Sequence, residues 1–211
     1  MAQGRFITVE GGEGAGKSTQ VRLLADALRE HGIDLLVTRE PGGTEGAEAI
    51  RGLIVDGPAE RWRPLAELYL FLAAREDHLH RAILPALAAG RWVLCDRFAD
   101  SSRVYQGLAG ELGLDLVDKL QAPLLGSCRP DLTLVLDLPV AAGLARCAAR
   151  GGAARFEAKG AEYHERVREG FRLLAAREPG RFAVIDAERA EREVAAAIWR
   201  TTLARLGLGE P

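Results

Sequence analysis

Residues 11–19 read Gly-Gly-Glu-Gly-Ala-Gly-Lys-Ser-Thr and contain a full match to the phosphate-binding loop pattern G-x-x-x-x-G-K-S/T. Glycines let the backbone curl so that successive N–H groups point at phosphate oxygens. The lysine supplies a mobile cation for the β- and γ-phosphates, and the hydroxyl after it can ligate Mg²⁺. The pattern predicts a site for a nucleoside triphosphate. The predicted nucleotide-binding residues are Gly11, Gly12, Glu13, Gly14, Ala15, Gly16, Lys17, Ser18 and Thr19.

The segments on either side of the loop fit this prediction. Arg5–Glu10 is typical of a short buried strand. After the loop, apolar residues recur at the i, i+3, i+4 and i+7 spacing of a helix over Ser18–Glu30. The order strand, glycine loop, helix would place the N-terminus of the helix against the phosphates.

Apolar strands alternate with helices along the chain, which predicts parallel βαβ units with helices on both faces of the sheet. The expected fold is a single domain, residues 1–211, built as a P-loop-type α/β three-layer sandwich. Pro85 is expected to break a helical stretch near Ile83. The predicted strands are Phe6–Glu10, Leu35–Thr38, Trp92–Asp96, Leu132–Asp137 and Phe182–Ile185. The predicted helices are Ser18–Glu30, Leu65–Leu79, Leu114–Gln121, Val140–Arg150, Glu162–Ala176 and Arg192–Leu206.

Composition narrows the possible partners. Hydrophobic residues make up 48% of the chain and the formal net charge is −2, which gives no global reason to expect nucleic acid or an anionic membrane as partner. Glu10 interrupts the first apolar run, so no signal peptide is expected. The three cysteines have no paired spacing, and a reducing cytoplasmic location is the default.

Ligands bind outside the carboxyl ends of the strands in such sheets. Asp96-Arg97 ends a predicted strand, where the carboxylate can support the Mg²⁺ bound at Ser18 and the arginine can fork onto a phosphate. A surface ion pair is the alternative for Asp96 and Arg97. Arg39 follows the second strand in Arg-Glu-Pro-Gly-Gly-Thr, which could equally be an ordinary turn.

Two further groups of residues have both a structural and a functional interpretation. Phe71 and Arg75 share a helix face, where a ring and a guanidinium could hold a flat base, or where Phe71 could simply lie in the core. Arg146, Arg150 and Arg155 flank Gly151-Gly152, which indicates either a mobile flap that carries positive charge or a solvated loop.

Taken together, these motifs resemble those of the thymidylate kinase family, and the resemblance covers Phe6 to about Ile198. It rests on four segments in order: Glu10–Gln20, Arg39–Thr44, Asp96–Gly107 and Pro130–Asp137. The resemblance implies transfer of the γ-phosphoryl group of ATP to dTMP, with Mg²⁺, and suggests a homodimer.

The resemblance also implies roles for particular residues. Phe71 would stack on thymine, Arg75 would bind a base carbonyl and Tyr105 would pack beside the sugar. Glu13 would lie near the sugar 3′-OH or the metal ion. The implied substrate-binding residues are Glu13, Arg39, Phe71, Arg75, Arg97, Ser101, Ser102, Tyr105 and Gln106, and the implied metal-binding residues are Ser18 and Asp96.

The phosphate loop contains no internal basic residue, since positions 13–15 are Glu-Gly-Ala. The chain therefore looks like the bacterial class, in which a lid, here around residues 146–160, supplies the charge. The implied catalytic residues are Lys17, Arg97, Arg150 and Arg155. The segment Ala154-Arg155-Phe156-Glu157 departs from the usual lid motif, which leaves open which lid arginine acts. Another nucleoside monophosphate or deoxynucleoside kinase, and a nucleotide-dependent switch, remain as alternatives.

Overall fold

The computed structural model describes residues 4–149, 151 and 155–209. Five parallel strands form one sheet in the order β2-β3-β1-β4-β5. The strands are β1 (Phe6–Gly11), β2 (Leu35–Arg39), β3 (Trp92–Asp96), β4 (Leu132–Asp137) and β5 (Phe182–Asp186). The predicted sheet is therefore confirmed, with each strand within one residue of its expected bounds.

Helices cover both faces of the sheet. They are α1 (Lys17–Glu30), α2 (Glu45–Val55), α3 (Pro64–His78), α4 (Leu84–Ala88), α5 (Ala99–Ser102), α6 (Leu114–Leu125), α7 (Val140–Ala149), α8 (Ala161–Arg177) and α9 (Glu191–Leu206). Two π-helical turns, Leu79–Ile83 and Arg103–Leu108, continue α3 into α4 and extend α5. The fold is the α/β three-layer sandwich expected from the sequence.

The alternation of side chains along β1 divides the core. Ile7 and Val9 pack with Leu24 and Leu28 of α1 on one face of the sheet. Phe6 points to the other face, where it packs against the π-helical turn and Phe98. Successive strand residues point to opposite faces, so a continuous apolar strand satisfies both layers.

Pro85 is the second residue of α4 and lies just after the π-helical turn, inside a helical stretch that is continuous from α3. Its missing N–H group removes one helical hydrogen bond there. The expected break near Ile83 was wrong: the helical backbone continues from α3 through the π-helical turn into α4, with helical angles at Ile83 and Leu84. Among the described helices, α2 was absent from the sequence expectations, and the stretch from Ala99 to Leu108 was expected as no more than a polar helix start at Ser101. Both follow the carboxyl ends of strands, β2 and β3, and therefore face the crevice of the site.

Candidate active site

The phosphate loop joins β1 to α1. Gly16 has a φ of 87° and caps α1, which begins at Lys17. The ammonium group of Lys17 arches back over the loop and donates to the carbonyls of Gly12 at 2.7 Å and Gly11 at 3.2 Å. Burial and the nearby Arg97 lower the pKa of Lys17, while Glu13 and other carboxylates oppose that change. The loop thus places a cation and a helix N-terminus at one point.

The middle of the loop lies directly against α7. Gly14 has a φ of 70°, and a Cβ atom at Gly14 would collide with the backbone of Gly143. A Cβ atom at Gly143 would in turn collide with the carbonyl of Glu13. Both glycines are therefore required by a close approach of two backbones. Ala15 is buried in the core, so only its backbone can contribute to the site.

Asp96 at the end of β3 meets the phosphate loop. Its Oδ2 accepts a hydrogen bond of 2.9 Å from the hydroxyl of Ser18. A hydroxyl and a carboxylate side by side at a phosphate loop suit Mg²⁺, which prefers oxygen ligands and keeps several of its waters. The predicted pairing of Ser18 with Asp96 is present in the structure, and these two residues fit the metal that the sequence implies.

Arg97 links the two halves of the crevice. Its Nη2 donates to Glu13 at 2.9 Å, and its Nη1 donates to the Gly11 carbonyl at 2.9 Å and to Ser101 at 3.2 Å. Its backbone φ is 68°, in the left-handed region that a non-glycine residue seldom adopts. Such strained residues concentrate at functional sites, because the surrounding contacts must hold them in place.

Glu13 is held as a carboxylate. Tyr105 donates its hydroxyl hydrogen to Glu13 at 2.8 Å, beside the contact from Arg97. Burial alone would raise the pKa of Glu13, but the charges of Arg97 and Lys17 and the Tyr105 hydrogen bond lower it to about 2. Arg97 also stacks over the Tyr105 ring, with its guanidinium carbon 4.9 Å from the ring centroid.

The pKa of Glu10, near the end of β1, is shifted in the opposite direction from that of Glu13. The Glu10 carboxylate accepts from the Phe98 amide at 2.8 Å and from the Ser101 hydroxyl at 2.6 Å, and it is fully buried. Burial and the charge of Asp100 raise the pKa of Glu10 to about 7, against the opposing charge of Arg97. Glu10 was not among the predicted site residues, yet it fixes the turn that carries Arg97.

Arg75 lies behind the wall of the cavity rather than on it, since only 1% of its surface is exposed. Its Nε donates to Glu40 at 2.7 Å, and its Nη2 donates to Ser102 at 3.1 Å and to the Phe98 carbonyl at 3.2 Å. The Glu40 carboxylate also contacts His78 at 3.1 Å. No partner for Glu40 could be predicted from the sequence, because the contact depends on how α3 packs against the end of β2.

The open side of the crevice carries two further arginines. Arg39 is exposed and pairs with Glu48 of α2 at 2.8 Å. Arg51 of α2 donates to the Pro41 carbonyl at 2.7 Å and lines the same cavity. Burial and the charges of Arg39 and Arg97 lower the pKa of Arg51, although Glu48 and Asp96 oppose this. Arg51 was missed because α2 was not predicted; its position two turns into a helix that follows the Pro-Gly-Gly turn was the available signal.

The side chain of Arg155, a predicted lid residue, is bound to other groups of the protein. It is 3% exposed and donates to the carbonyls of Ile54, Pro58 and Ala59 at 3.0–3.1 Å. It also pairs with Glu67 of α3 at 2.5 Å. In this arrangement the guanidinium faces protein groups rather than the phosphate loop. Arg150, the other predicted lid arginine, lies outside the described residues.

One cavity of about 350 Å³ gathers most of the predicted residues. Phe71, Tyr105 and Phe156 supply its aromatic lining, with edge-on ring contacts between Phe156 and each of the other two at 6.0–6.1 Å. Gly11 and Gly12 line a smaller adjacent cavity instead. The predicted residues that line the main cavity are Glu13, Gly14, Gly16, Lys17, Ser18, Thr19, Arg39, Phe71, Asp96, Arg97, Ser101, Ser102, Tyr105, Gln106 and Arg155.

Known proteins of one family match the sequence of this chain over almost its whole length. A sequence model of the family described as thymidylate kinase matches residues 9–198. The chain belongs to the thymidylate kinase family. A thymidylate kinase of Caulobacter vibrioides is 57% identical over 99% of this chain and 100% of the relative. One of Rhodopseudomonas palustris strain TIE-1 is 53% identical over 99% of this chain and 92% of the relative.

A solved structure of a member of the same family has the same fold as this chain. The thymidylate kinase of Ehrlichia chaffeensis superimposes with a TM-score of 0.78 at 31% identity, covering 94% of this chain and 98% of that one. The resemblance inferred from the motifs is thereby confirmed, and the chain is a kinase of the nucleoside monophosphate class. Among the described residues of this thymidylate kinase family member, no helix has the length and apolar character needed to cross a membrane.

Proposed function

We propose that the main cavity binds ATP at the phosphate loop and dTMP opposite it, and that Arg97 acts at the junction of the two. The chain phosphorylates dTMP with ATP, the activity from which the thymidylate kinase family takes its name. One observation carries the arrangement: a single cavity is lined both by Lys17 and Ser18 of the phosphate loop and by the aromatic residues Phe71 and Tyr105. Phosphate chemistry and flat-base recognition thus meet in one space.

The reaction needs positioning more than acid–base chemistry. An oxygen of the dTMP phosphate is already anionic and can attack the γ-phosphorus without a strong general base. Catalysis then comes from alignment and from charge stabilisation of the transferring group. Lys17 and Arg97 supply positive charge from the loop and from the turn after β3. Arg39 and Arg51, which line the cavity, would hold the dTMP phosphate.

Glu13 is assigned an orienting role. Because Arg97 and Lys17 keep it ionised, it can fix Arg97 with one contact and the Tyr105 hydroxyl with another. Ser18 and Asp96 would hold the Mg²⁺ ion, which when bound neutralises charge on the β- and γ-phosphates. The chain's own contribution is to keep that hydroxyl and carboxylate together at the end of the loop.

The aromatic residues that line the cavity suit a pyrimidine base. Phe71 would stack on thymine, and Ser102, which receives a hydrogen bond from Arg75, would present the polar group at the base edge. Ser101 and Gln106 line the same wall, and Tyr105 would pack beside the sugar. For the lid, around residues 146–160, Arg150 and Arg155 are the two candidates for the additional positive charge, and in the present arrangement Arg155 is bound to protein groups.

We also propose a single-domain protein that acts as a homodimer in the cytoplasm, with no nucleic-acid or membrane partner. Exposed apolar side chains on neighbouring helices support the dimer: Leu65 and Tyr69 are 39% and 51% exposed on one stripe of α3, and Leu116 is 38% exposed on α6. Sedimentation analysis tests it: a dimer that Tyr69→Glu converts to monomer supports this face, whereas a wild-type monomer rejects the proposal.

An acceptor panel tests the proposed substrates. With ATP and Mg²⁺, turnover is measured for dTMP, dUMP, dCMP, AMP and thymidine under identical conditions. We expect dTMP to have the highest kcat/KM. A higher value for another monophosphate would assign the chain to a different nucleoside monophosphate kinase, and preference for thymidine would indicate a deoxynucleoside kinase. A slow nucleotide switch would hydrolyse ATP with no acceptor dependence.

A further inference from the structure

Arg155 occupies an unusual position for an arginine expected to contact a transferred phosphoryl group. Its guanidinium lies at the C-terminal end of α2, and the residue is 3% exposed. The last carbonyls of a helix have no partner within the helix, and a cation at that end is also favoured by the helix dipole. Arg155 meets both needs at the Ile54 carbonyl in the last turn of α2, and it also donates to the carbonyls of Pro58 and Ala59 in the loop beyond that helix.

The acid that completes this site is Glu67 of α3, which is 4% exposed. Its Oε2 pairs with Arg155, and its Oε1 accepts a 2.9 Å hydrogen bond from the side-chain amide of Gln106. A buried carboxylate is retained only when it is paired and hydrogen-bonded, and both oxygens of Glu67 meet that condition. We call Glu67, Gln106 and Arg155 the α3–lid latch.

The latch lies beside the proposed base site. Phe71 follows Glu67 by one helical turn on α3, so the two side chains share a face. Phe156 follows Arg155, and its ring makes edge contacts with Phe71 and Tyr105. Anchoring Arg155 therefore also determines where the Phe156 ring stands relative to the aromatic slot.

We infer that Glu67 is a positioning residue for dTMP, because it holds the lid residues Arg155 and Phe156 against the base slot while it orients Gln106 on the slot wall. This inference rests on the proposed function. Glu67 need not touch the substrate. Its carboxylate joins α3, the turn after α5 and Arg155 at one point, so the position of the slot wall and that of Phe156 depend on the same buried acid.

The latch gives Arg155 a role different from that of a catalytic arginine, and the two roles differ kinetically. A group that contacts the phosphoryl in the transition state affects kcat, whereas a group that shapes the base slot affects KM for dTMP and leaves KM for ATP alone. The geometry favours the second role, since four of the contacts made by Arg155 are to protein groups.

The test is a double-mutant cycle on the full-length protein with Glu67→Gln, Arg155→Gln and the double variant. Glu76→Gln, on the exposed side of the same helix, is the matched control. Each single variant should raise KM for dTMP on the order of 10-fold, with KM for ATP within about twofold of wild type. The double variant should be no worse than the poorer single one, because removing either partner breaks the same pair.

Several outcomes would overturn the inference. Unchanged KM for dTMP in Glu67→Gln would reject it while leaving dTMP phosphorylation by the wild type intact, so the two failures are distinguishable. A loss of kcat in Arg155→Gln at constant KM would instead make Arg155 catalytic. Should Glu67→Gln fail to fold, Gln106→Leu and Arg155→Lys replace it, and calorimetric titration with dTMP is the readout. Wild-type affinity in both would reject the latch, and weakened dTMP binding in both would support it.

Discussion

The guanidinium of Arg97 lies 2.9 Å from the carboxylate of Glu13, so that the turn after β3 and the phosphate loop share one ion pair. The same guanidinium reaches the Gly11 carbonyl and Ser101, and together these contacts hold a residue with a φ of 68°. In the substrate arrangement that we propose, this ion pair fixes the ATP side and the dTMP side of the site relative to each other. Preorganisation of this kind reduces the reorganisation required in the transition state.

Arg97→Lys tests this relationship. Lysine keeps the positive charge but has a single side-chain nitrogen. That nitrogen cannot donate hydrogen bonds to Gly11, Glu13 and Ser101 from the positions that the planar guanidinium occupies. We expect kcat to fall on the order of 10³-fold, the scale seen when an arginine that stabilises phosphoryl transfer is lost. Steady-state kinetics measures the change in kcat. The control is Arg91→Lys, the same substitution next to the opposite end of β3. A kcat within a few-fold of wild type would remove Arg97 from the catalytic group.

Glu10 makes the stability of the fold depend on pH. The pKa of Glu10 is about 7 in the folded state, against 4.5 for an ordinary glutamate, so the folded chain binds more protons than the unfolded chain between these two values. Its contribution to stability is therefore present below pH 4.5 and is lost as the pH rises through 7. At pH 8 the buried charge costs up to roughly 3 kcal/mol.

Glu10→Gln removes that charge while keeping an acceptor for the Phe98 amide. The free energy of unfolding of this variant relative to wild type should increase between pH 5 and pH 8, by as much as roughly 3 kcal/mol. Urea denaturation at four pH values measures it, and Glu76→Gln controls for the loss of an exposed carboxylate. A difference that stays constant with pH would show that Glu10 titrates outside this range.

Phe71 is the proposed stacking partner of the base. Stacking of a base on an aromatic ring contributes about 1–3 kcal/mol, so Phe71→Ala should raise KM for dTMP on the order of 10-fold and leave KM for ATP nearly unchanged. Leu173→Ala, on the exposed side of α8, removes a comparable apolar side chain away from the cavity. Equal effects on both substrates would place Phe71 in a structural role, the alternative that sequence spacing left open.

Gly143 provides a test of the close approach between α7 and the phosphate loop. Replacing a helical glycine by alanine normally stabilises a helix by up to about 1 kcal/mol. Here the new Cβ atom would collide with the Glu13 carbonyl, so Gly143→Ala should lower the melting temperature and raise KM for ATP. Gly180→Ala, which has open space around its Cβ position, is the control. A stabilised Gly143→Ala variant with normal ATP kinetics would contradict the contact.

The sheet and the phosphate loop were predictable because both depend on local patterns. Strand periodicity located β1 to β5, and the spacing of Gly11, Gly16 and Lys17 located the loop. α2 was missed although much of it is apolar, because Gly46 and Gly52 lower its helix propensity and the residues of it that become buried are Ala47 and Ile54. Without α2 there was no reason to place Arg51 in the crevice.

The burial and the partners of three carboxylates could not be predicted from the sequence alone. Glu10, Glu40 and Glu67 all find partners at least 30 residues away in the chain, and nothing in their immediate neighbourhood distinguishes them from exposed acids. The position of Arg155 was unpredictable for the same reason, since α2 and α3 together form its pocket. The sequence could name an arginine of the lid but not the groups that it contacts.

The most direct measurement of the central claim is the product balance in a single reaction of the wild-type chain with ATP, Mg²⁺ and dTMP, followed by ³¹P NMR. We predict that ADP and dTDP appear in equal amounts, and that inorganic phosphate stays at background as long as dTMP remains. Formation of ADP with an equal amount of inorganic phosphate and without dTDP would contradict the account, because the chain would then be an ATPase rather than a kinase of dTMP.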